Sequence, residues 1–284
     1  MHGTKSDLIH LSEGLTIHHA QVYETNSGLL RVKGGYVLID PAFTPQDFAR
    51  IAAFISPEPV LAGFSTHAHY DHLFWSPRFG DNVPRFASSG TVEALASYKP
   101  EILAELTAFE TAFYSGKQTW NRDYLFQVKE INREILKELG IKLEVHDIPG
   151  HLKGQAAFSF PDHRALFMAD TLSDVEPPSI EGCPDSINEY LKSLDLLEGL
   201  IRPCEWIVPG HGSPAKPEEA LRRLSQDRAY LLALAELRPS DFGRTIEELA
   251  EKSLQATTGS WPRDANTREI HVQNLKAVRA WFGV

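Results

Sequence analysis

The sequence is poor in cysteine and has no long apolar run, and both shortages narrow the class of protein. Two cysteines, Cys183 and Cys204, are too few to cross-link a chain of 284 residues, so we expect both to be reduced and buried. No run of 18 apolar residues exists that could cross a bilayer, and the first residues lack the apolar stretch of a signal peptide. These absences predict a cytoplasmic protein with no membrane-spanning segment.

Positive charge is also scarce. The chain has 28 Lys and Arg against 38 Asp and Glu, a net charge of −10. Such a chain is repelled by the phosphates of nucleic acids and of anionic membranes, so neither is expected as a partner. Hydrophobic residues make up 42% and charged residues 23%, which is ordinary for a folded globular protein and argues against disorder. The expected partner is a small-molecule substrate.

Strand-like and helix-like patterns alternate along the chain. Three apolar stretches between Leu15 and Ser65 read as strands, and helical patterns fill residues 91–140. Strands then resume, one further helix and strand follow, and helices occupy the end of the chain. We predict an α/β domain over residues 1–216 with a helical insertion at about 91–140, followed by a C-terminal helical segment at 217–284 that packs on the domain or on a dimer partner.

The predicted insertion is rich in aromatic residues, and two interpretations of them stay open. They form a helical lid over an apolar pocket, or they pack into the protein interior or a homodimer interface. The residues concerned are Phe109, Phe113, Tyr114, Trp120, Tyr124 and Phe126.

A cluster of metal-ligand residues directly follows the third predicted strand. Residues 66–72 read Thr-His-Ala-His-Tyr-Asp-His. In an extended segment His67 and His69 project to one side, while Asp71 and His72 fall where the chain turns. Such a string arises by accident in roughly one comparable chain in a thousand, so it indicates a metal site. Imidazoles and carboxylates suit Zn²⁺, and they also suit Fe and Mn.

Three later segments each place a potential ligand just beyond a predicted strand. They are Pro149-Gly150-His151, Ala169-Asp170-Thr171 and Pro209-Gly210-His211-Gly212. Each is weak alone, because such residues also serve as turns and helix caps. Together with Asp40, which ends an earlier strand-like stretch, and with residues 66–72, they resemble the five signatures of the metallo-β-lactamase-fold superfamily, from about Leu15 to Gly212.

The resemblance implies an αββα sandwich with two Zn²⁺ ions at one edge of two facing sheets. It also implies how the ligands divide, with Asp170 bridging both ions. Asp40 then orients a ligand, although an ordinary polar strand end is an equal alternative. The first ion is assigned to His67, His69 and His151, and the second to Asp71, His72 and His211.

This site predicts a hydrolase in which a hydroxide held by two zinc ions attacks the carbonyl carbon of a small ester-like substrate. Lactones, esters, thioesters and β-lactams all contain such a carbonyl. Asp71 is the expected catalytic residue, since it would hold the second ion and orient the hydroxide. The net negative charge and the aromatic insertion favour a neutral or apolar substrate.

Two other activities share this ligand set or this superfamily. A phosphodiesterase or endoribonuclease would use the same two-metal site, and a sulfur dioxygenase would use a single iron. The C-terminal segment resembles the winged-helix-like tail of lactamase-β-like hydrolases, some of which cleave RNA. That segment carries 10 basic and 10 acidic residues, however, and a nucleic-acid face needs a basic excess. The complete second-ion ligand set argues against the iron enzyme.

Overall fold

The computed structural model describes residues 7–41, 43–180, 185–256, 261–262 and 264–283. The chain divides into two compact units. The first comprises Met1–Asp147 and Gly154–His163, and the second comprises Ile148–Lys153 and Arg164–Val284. The proposed domain boundary at residue 216 stays a prediction.

The first unit is built on a seven-stranded sheet whose spatial order follows the chain. Strands β1 to β4 are antiparallel neighbours, whereas β4 to β7 are parallel. The carboxyl ends of parallel strands lie at the same edge of a sheet, so residues that follow β4 and β5 are close together. The strands are β1 Asp7–Ser12, β2 Leu15–His19, β3 Asn26–Val32, β4 Gly35–Ile39, β5 Val60–Ser65, β6 Arg85–Ala87 and β7 Lys129–Glu130.

Five helices and a second strand pair complete the described part of this unit. Helix α1 starts in a capping box, in which the Thr44 hydroxyl accepts from the Asp47 amide and the Asp47 carboxylate accepts from the Thr44 amide. The pair β8 Glu144–Asp147 and β9 Ala156–Phe160 is antiparallel. The helices are α1 Pro45–Ile55, α2 Ser89–Ser97, α3 Lys99–Tyr114, α4 Arg122–Leu125 and α5 Arg133–Leu139.

The prediction of helix over residues 122–139 is wrong in its middle. Helix α4 ends at Leu125, and β7 then pairs with β6 through Phe86 and Lys129 before α5 begins. Pairing with the open edge of the sheet outweighs the helical propensity of Lys and Glu there. Two asparagines cap separate helices, since Asn121 accepts from the Asp123 amide and Asn132 from the Ile135 amide.

Three of the six aromatic residues of the insertion are buried. Phe109, Trp120 and Tyr124 are buried, and the Trp120 indole donates to the Phe43 carbonyl oxygen at 3.0 Å. Phe113, one turn further along α3 than Phe109, is 62% exposed. The packing interpretation therefore holds for the buried members, whereas Phe113 presents its ring to solvent.

The second unit combines two parallel strands with helices. Strands β10 Ala165–Phe167 and β11 Trp206–Val208 pair in parallel through Leu166 and Ile207. Cys204 is buried as expected, and Cys183 lies outside the described residues. In the described parts of the chain no helix has the length and apolar character needed to span a bilayer. The helices of this unit are α6 Ser186–Ile201, α7 Pro217–Ala235, α8 Ile246–Ala256 and α9 Ala265–Trp281.

A chain of side-chain hydrogen bonds joins α7, α8 and α9. Tyr230 Oη lies 2.8 Å from His271 Nδ1, and His271 Nε2 lies 2.7 Å from Ser253 Oγ. Asn274 Nδ2 donates to Tyr230 Oη at 2.8 Å. Burial lowers the pKa of the His271 imidazole from 6.5 to about 4. The native protein therefore holds this histidine neutral.

We expect His271 to make the metal-free protein less stable as the pH falls. The native pKa lies below the unfolded one, so the contribution is complete above pH 6.5 and declines towards pH 4, because only the unfolded chain takes up the proton. The decline amounts to about 3 kcal/mol at 1.36 kcal/mol per pKa unit. Urea unfolding across this pH range will measure it. His271→Gln should reduce the pH dependence by that amount, and an unchanged dependence would contradict the assignment.

Candidate metal centre

The first group of predicted ligands lies at the carboxyl end of β5. Strand β5 ends at Ser65, and residues 66–72 follow it into a short 3-10 turn at Tyr70–His72. The adjacent strand β4 ends beside it, so that Asp40 comes next to the start of this segment, and the Asp40 amide donates to the Phe64 carbonyl oxygen at 2.8 Å. Asp40 has a φ of +44°, a conformation that asparagine and aspartate adopt more readily than most residues.

Asp40 holds this ligand segment in place. Its Oδ1 accepts from the Thr66 amide at 2.8 Å, and its Oδ2 accepts from the Thr66 hydroxyl at 2.7 Å. The same Oδ2 lies 3.1 Å from His72 Nδ1, which we assign as the protonated nitrogen of that ring. Asp40 is only 3% exposed. Of the two interpretations of Asp40, the orienting role is the one that these contacts favour.

The ligand atoms of the first unit are close enough to share a cation. His67 Nε2 lies 3.1 Å from His69 Nδ1, and His72 Nε2 lies 3.4 Å from Asp71 Oδ2. The Thr66 hydroxyl already donates to Asp40, so it accepts from His67 Nδ1 at 3.1 Å. This leaves Nε2 of His67 as the unprotonated nitrogen, which is the form that binds a metal. His67 and His72 have no solvent exposure, and Asp71 is 6% exposed.

The second group of predicted ligands lies at the carboxyl ends of β10 and β11. Asp170 follows β10, His211 follows β11, and the Gly210 amide donates to the Ala169 carbonyl oxygen at 2.6 Å. Asp170 Oδ2 lies 3.3 Å from His151 Nε2 and 3.3 Å from His211 Nε2. One carboxylate oxygen thus contacts both imidazoles, an arrangement suited to a bridging ligand.

His151 is held by a tight turn and by helix α6. Gly150 has a φ of +122°, and a Cβ there would lie 2.4 Å from Cα of Tyr190. The Ser193 hydroxyl donates to the Pro149 carbonyl oxygen at 2.7 Å. The Tyr190 hydroxyl donates to the main-chain carbonyl oxygen of Asp170 at 3.0 Å. Glycine is needed at position 150 both for its conformation and for the close approach of α6.

A backbone carbonyl fixes the tautomer of His151. Its Nδ1 donates to the Ser179 carbonyl oxygen at 3.1 Å, so Nε2 is the nitrogen directed towards Asp170. His151 and His211 are 8% and 6% exposed.

Two further carboxyl groups border this ligand group. Glu176 and Asp227 line a cavity of about 10 Å³ together with His151 and Asp170. Burial raises the pKa of Glu176 and raises that of Asp227 well above its usual value. Both groups are therefore protonated more readily than a solvent-exposed carboxyl group.

These donor sets fit a divalent cation. At a zinc–ligand distance of about 2.0–2.1 Å, two atoms on one tetrahedral ion lie about 3.3 Å apart. The ligand pairs within each unit lie 3.1 to 3.4 Å apart, with imidazole nitrogen and carboxylate oxygen as donors. Four predicted ligands fall in the first unit and three in the second. Sequence reasoning missed Ser179, which acts through its main-chain oxygen, and Tyr190 and Ser193, whose hydroxyls donate to main-chain carbonyl oxygens. None of the three carries a recognisable motif.

Known proteins resemble this chain in both sequence and structure. Residues 20–85 match the family model of the metallo-β-lactamase superfamily. Metallo-β-lactamase family protein TTHA1429 from Thermus thermophilus superposes with a TM-score of 0.65 at 20% identity, over 96% of this chain and 95% of that one. The resemblance to the metallo-β-lactamase superfamily is confirmed. The predicted fold class, the α/β metallo-β-lactamase fold, is confirmed by the same comparison.

Two more relatives show how far the likeness extends. A hydroxyacylglutathione hydrolase from Synechococcus sp. (strain JA-3-3Ab) is 29% identical over 180 residues, which are 58% of each chain. The sec-alkylsulfatase Pisa1 from Pseudomonas sp. has a TM-score of 0.65 at 16% identity, over 98% of this chain and 50% of that one. The match thus spans little more than half of the curated relative. The family model and this relative agree with the prediction of a hydrolase.

Gly150→Ala tests the turn that carries His151. We expect a loss of more than about 2 kcal/mol in the free energy of unfolding, because alanine combines a strained φ with overpacking against α6. Zinc content should fall as well, because the proposed ligand His151 is the next residue in the sequence. Gly199→Ala on α6, where nothing lies within 4 Å of an added Cβ, is the matched control and should be neutral or stabilising. Urea unfolding and metal analysis will compare them, and equal behaviour would refute the role of Gly150.

Proposed function

We propose that the protein is a zinc-dependent hydrolase of small, neutral, ester-like molecules. The observation that carries the proposal is the distance between neighbouring ligand atoms, which matches that of two ligands on one metal ion. This spacing is found for His67 with His69, for Asp71 with His72, and for Asp170 with both His151 and His211.

The two ligand groups are proposed to form one binuclear centre. As in the superfamily resemblance, a first ion would take His67, His69 and His151, and a second would take Asp71, His72 and His211. The position of Asp170 supports this division. Its Oδ2 lies 3.3 Å from His151 Nε2, assigned to the first ion, and 3.3 Å from His211 Nε2, assigned to the second. Two Zn²⁺ per chain is the expected content.

Bound zinc lowers the pKa of water towards neutrality and polarises a carbonyl oxygen. The protein's own residues are proposed to place the reactants. Asp71 orients the attacking water, and Asp40 keeps the His72 ring fixed through Nδ1. The water oxygen bonds to the carbonyl carbon, the bond from that carbon to the leaving oxygen or sulfur breaks, and the proton from water passes to the leaving group.

The surroundings of the ligand segment favour an apolar substrate. Tyr70 stands between the ligands His69 and Asp71, and its ring centroid lies 5.9 Å from that of Phe109. Phe109 is 4.7 Å from the exposed Phe113. Burial and the adjacent Asp71 raise the pKa of Tyr70, so its hydroxyl stays neutral. A row of aromatic rings therefore leads from the ligand segment to the exposed Phe113.

A thioester is the first substrate class to test. The name of the curated relative, a hydroxyacylglutathione hydrolase, describes hydrolysis of a glutathione derivative. The segment that follows Asp170 here reads Thr-Leu-Ser-Asp-Val-Glu and has none of the basic residues expected of a glutathione site in that region. We therefore expect lactones, and thioesters with uncharged leaving groups, to be cleaved better than glutathione thioesters.

Asp71→Ala tests the proposed catalyst. Hydrolysis of a lactone, thioester, β-lactam and phosphodiester panel by zinc-loaded protein should favour the carbonyl compounds, and the variant should lower kcat/KM at least about 100-fold. Asp162→Ala, which removes a surface carboxylate paired only with Lys142 among the described contacts, is the control. Metal analysis should give two zinc ions per wild-type chain.

Other outcomes would replace the proposal. Less than one metal ion per chain, with esterase activity that survives Asp71→Ala, would reject a zinc hydrolase. Cleavage of RNA that is lost in His211→Ala would instead support the nuclease alternative, and oxygen consumption with retained iron would support the dioxygenase.

A further inference from the structure

Residues 171–180, here called the strap, connect the ligand Asp170 to the region beside His151. Their main chain is tied to the C-terminal part of the second unit. The Leu172 amide donates to Asp227 at 3.1 Å, and the Ser173 carbonyl oxygen accepts from the Trp261 indole at 3.1 Å. The strap is therefore fixed by residues more than 50 positions away in sequence, and not by a helix or strand of its own.

Asn274 of α9 makes the most complete of these attachments. Its Oδ1 accepts from the Ile180 amide at 3.0 Å, and its Nδ2 donates to the Pro178 carbonyl oxygen at 2.7 Å. The second hydrogen on Nδ2 is directed to Tyr230 Oη. Asn274 is 1% exposed, so the loss of any of these bonds would leave a buried polar group unpaired. The asparagine amide thus clasps the strap on both sides of Ser179.

The Ile180 amide and the Ser179 carbonyl belong to one planar peptide group. Asn274 binds its N–H, while His151 Nδ1 donates to its oxygen at 3.1 Å. Hydrogen bonds at the two ends of one peptide group fix its orientation and polarise each other. A single rigid unit therefore lies between a side chain of α9 and the imidazole of His151.

We propose that Asn274 is a positioning residue for His151. By fixing the Ser179–Ile180 peptide group, Asn274 holds the His151 ring in the tautomer and direction that present Nε2 as a ligand. The importance of this positioning to metal binding rests on the proposed function, in which His151 holds zinc. Helix α9 is then part of the support of the metal centre, a role beyond the packing expected of the C-terminal segment.

Tyr230 offers a matched control within the same network. It is 2% exposed, and it contacts Asn274 and His271 through its hydroxyl. Tyr230→Phe removes those two hydrogen bonds and leaves both bonds from Asn274 to the strap. If the network is purely structural, Asn274→Ala and Tyr230→Phe should have similar effects on zinc affinity and on His151. If Asn274 positions His151, only Asn274→Ala should change them.

The test compares the full-length wild type, Asn274→Ala and Tyr230→Phe. Chelator competition measures zinc affinity, and side-chain ¹⁵N NMR of histidine measures the state of His151 with and without zinc. We expect Asn274→Ala to weaken zinc binding about 10- to 100-fold, the range for residues that orient metal-binding histidines. It should also speed exchange of the His151 Nδ1 proton. Tyr230→Phe should leave both measurements at wild-type values.

Equal effects of the two variants, or no change in His151 in Asn274→Ala, would overturn the proposal. If Asn274→Ala does not fold, the wild type still offers a test, because a metal-free His151 protonated at Nε2 would refute the proposal. His151→Ala separates this inference from the proposed function. Unchanged zinc content in that variant would reject His151 as a ligand, while the NMR comparison would still report whether Asn274 orients the ring.

Discussion

The candidate site depends on one constraint, which is that three of its five proposed ligand histidines each commit one ring nitrogen to a fixed acceptor. Nδ1 of His67 donates to Thr66, Nδ1 of His72 donates to Asp40, and Nδ1 of His151 donates to the Ser179 carbonyl oxygen. In each ring Nε2 is left as the metal-binding nitrogen. Three different acceptors on separate segments of the chain achieve the same result.

The ends of the parallel strands explain how several of the ligands and acceptors come together within each unit. Asp40 and Thr66 follow adjacent parallel strands, and Asp170 and His211 follow another such pair. The carboxyl ends of parallel strands bring together residues that are distant in sequence, and loops there vary without disturbing the sheet. Most of these polar groups are buried, and a buried polar group left without a hydrogen-bond partner lowers the free energy of unfolding by about 1–3 kcal/mol. Ligand orientation and stability therefore depend on the same bonds.

The candidate ligands could be predicted from sequence, whereas Ser179 and Asn274, which orient His151, could not. Residues 66–72 form a motif because all their ligands come from one segment. A motif also marks His151, Asp170 and His211, but only through the order of several weak signals. Ser179 and Asn274 carry no signal, because one acts through its main-chain oxygen and the other through contacts across more than 90 residues.

The same distinction applies to the fold. Helix α6 is the one further helix predicted after the second set of strands, and its own apolar spacing and turns define it. The two-residue strand β7 is missed, because only the free edge of β6 induces it, and strand β1 is not among the predicted strands although it pairs with β2. Separate asparagine caps at residues 121 and 132 are the local evidence that could have divided the predicted helix.

The central proposal is that the ligands of the two units bind one pair of ions. A crystal structure of the zinc-loaded protein, with anomalous data collected at the zinc edge, tests it most directly. The account predicts two peaks, one bound by His67, His69 and His151 and the other by Asp71, His72 and His211, with Asp170 contacting both. A single peak, or two peaks each bound by ligands of one unit only, would contradict it.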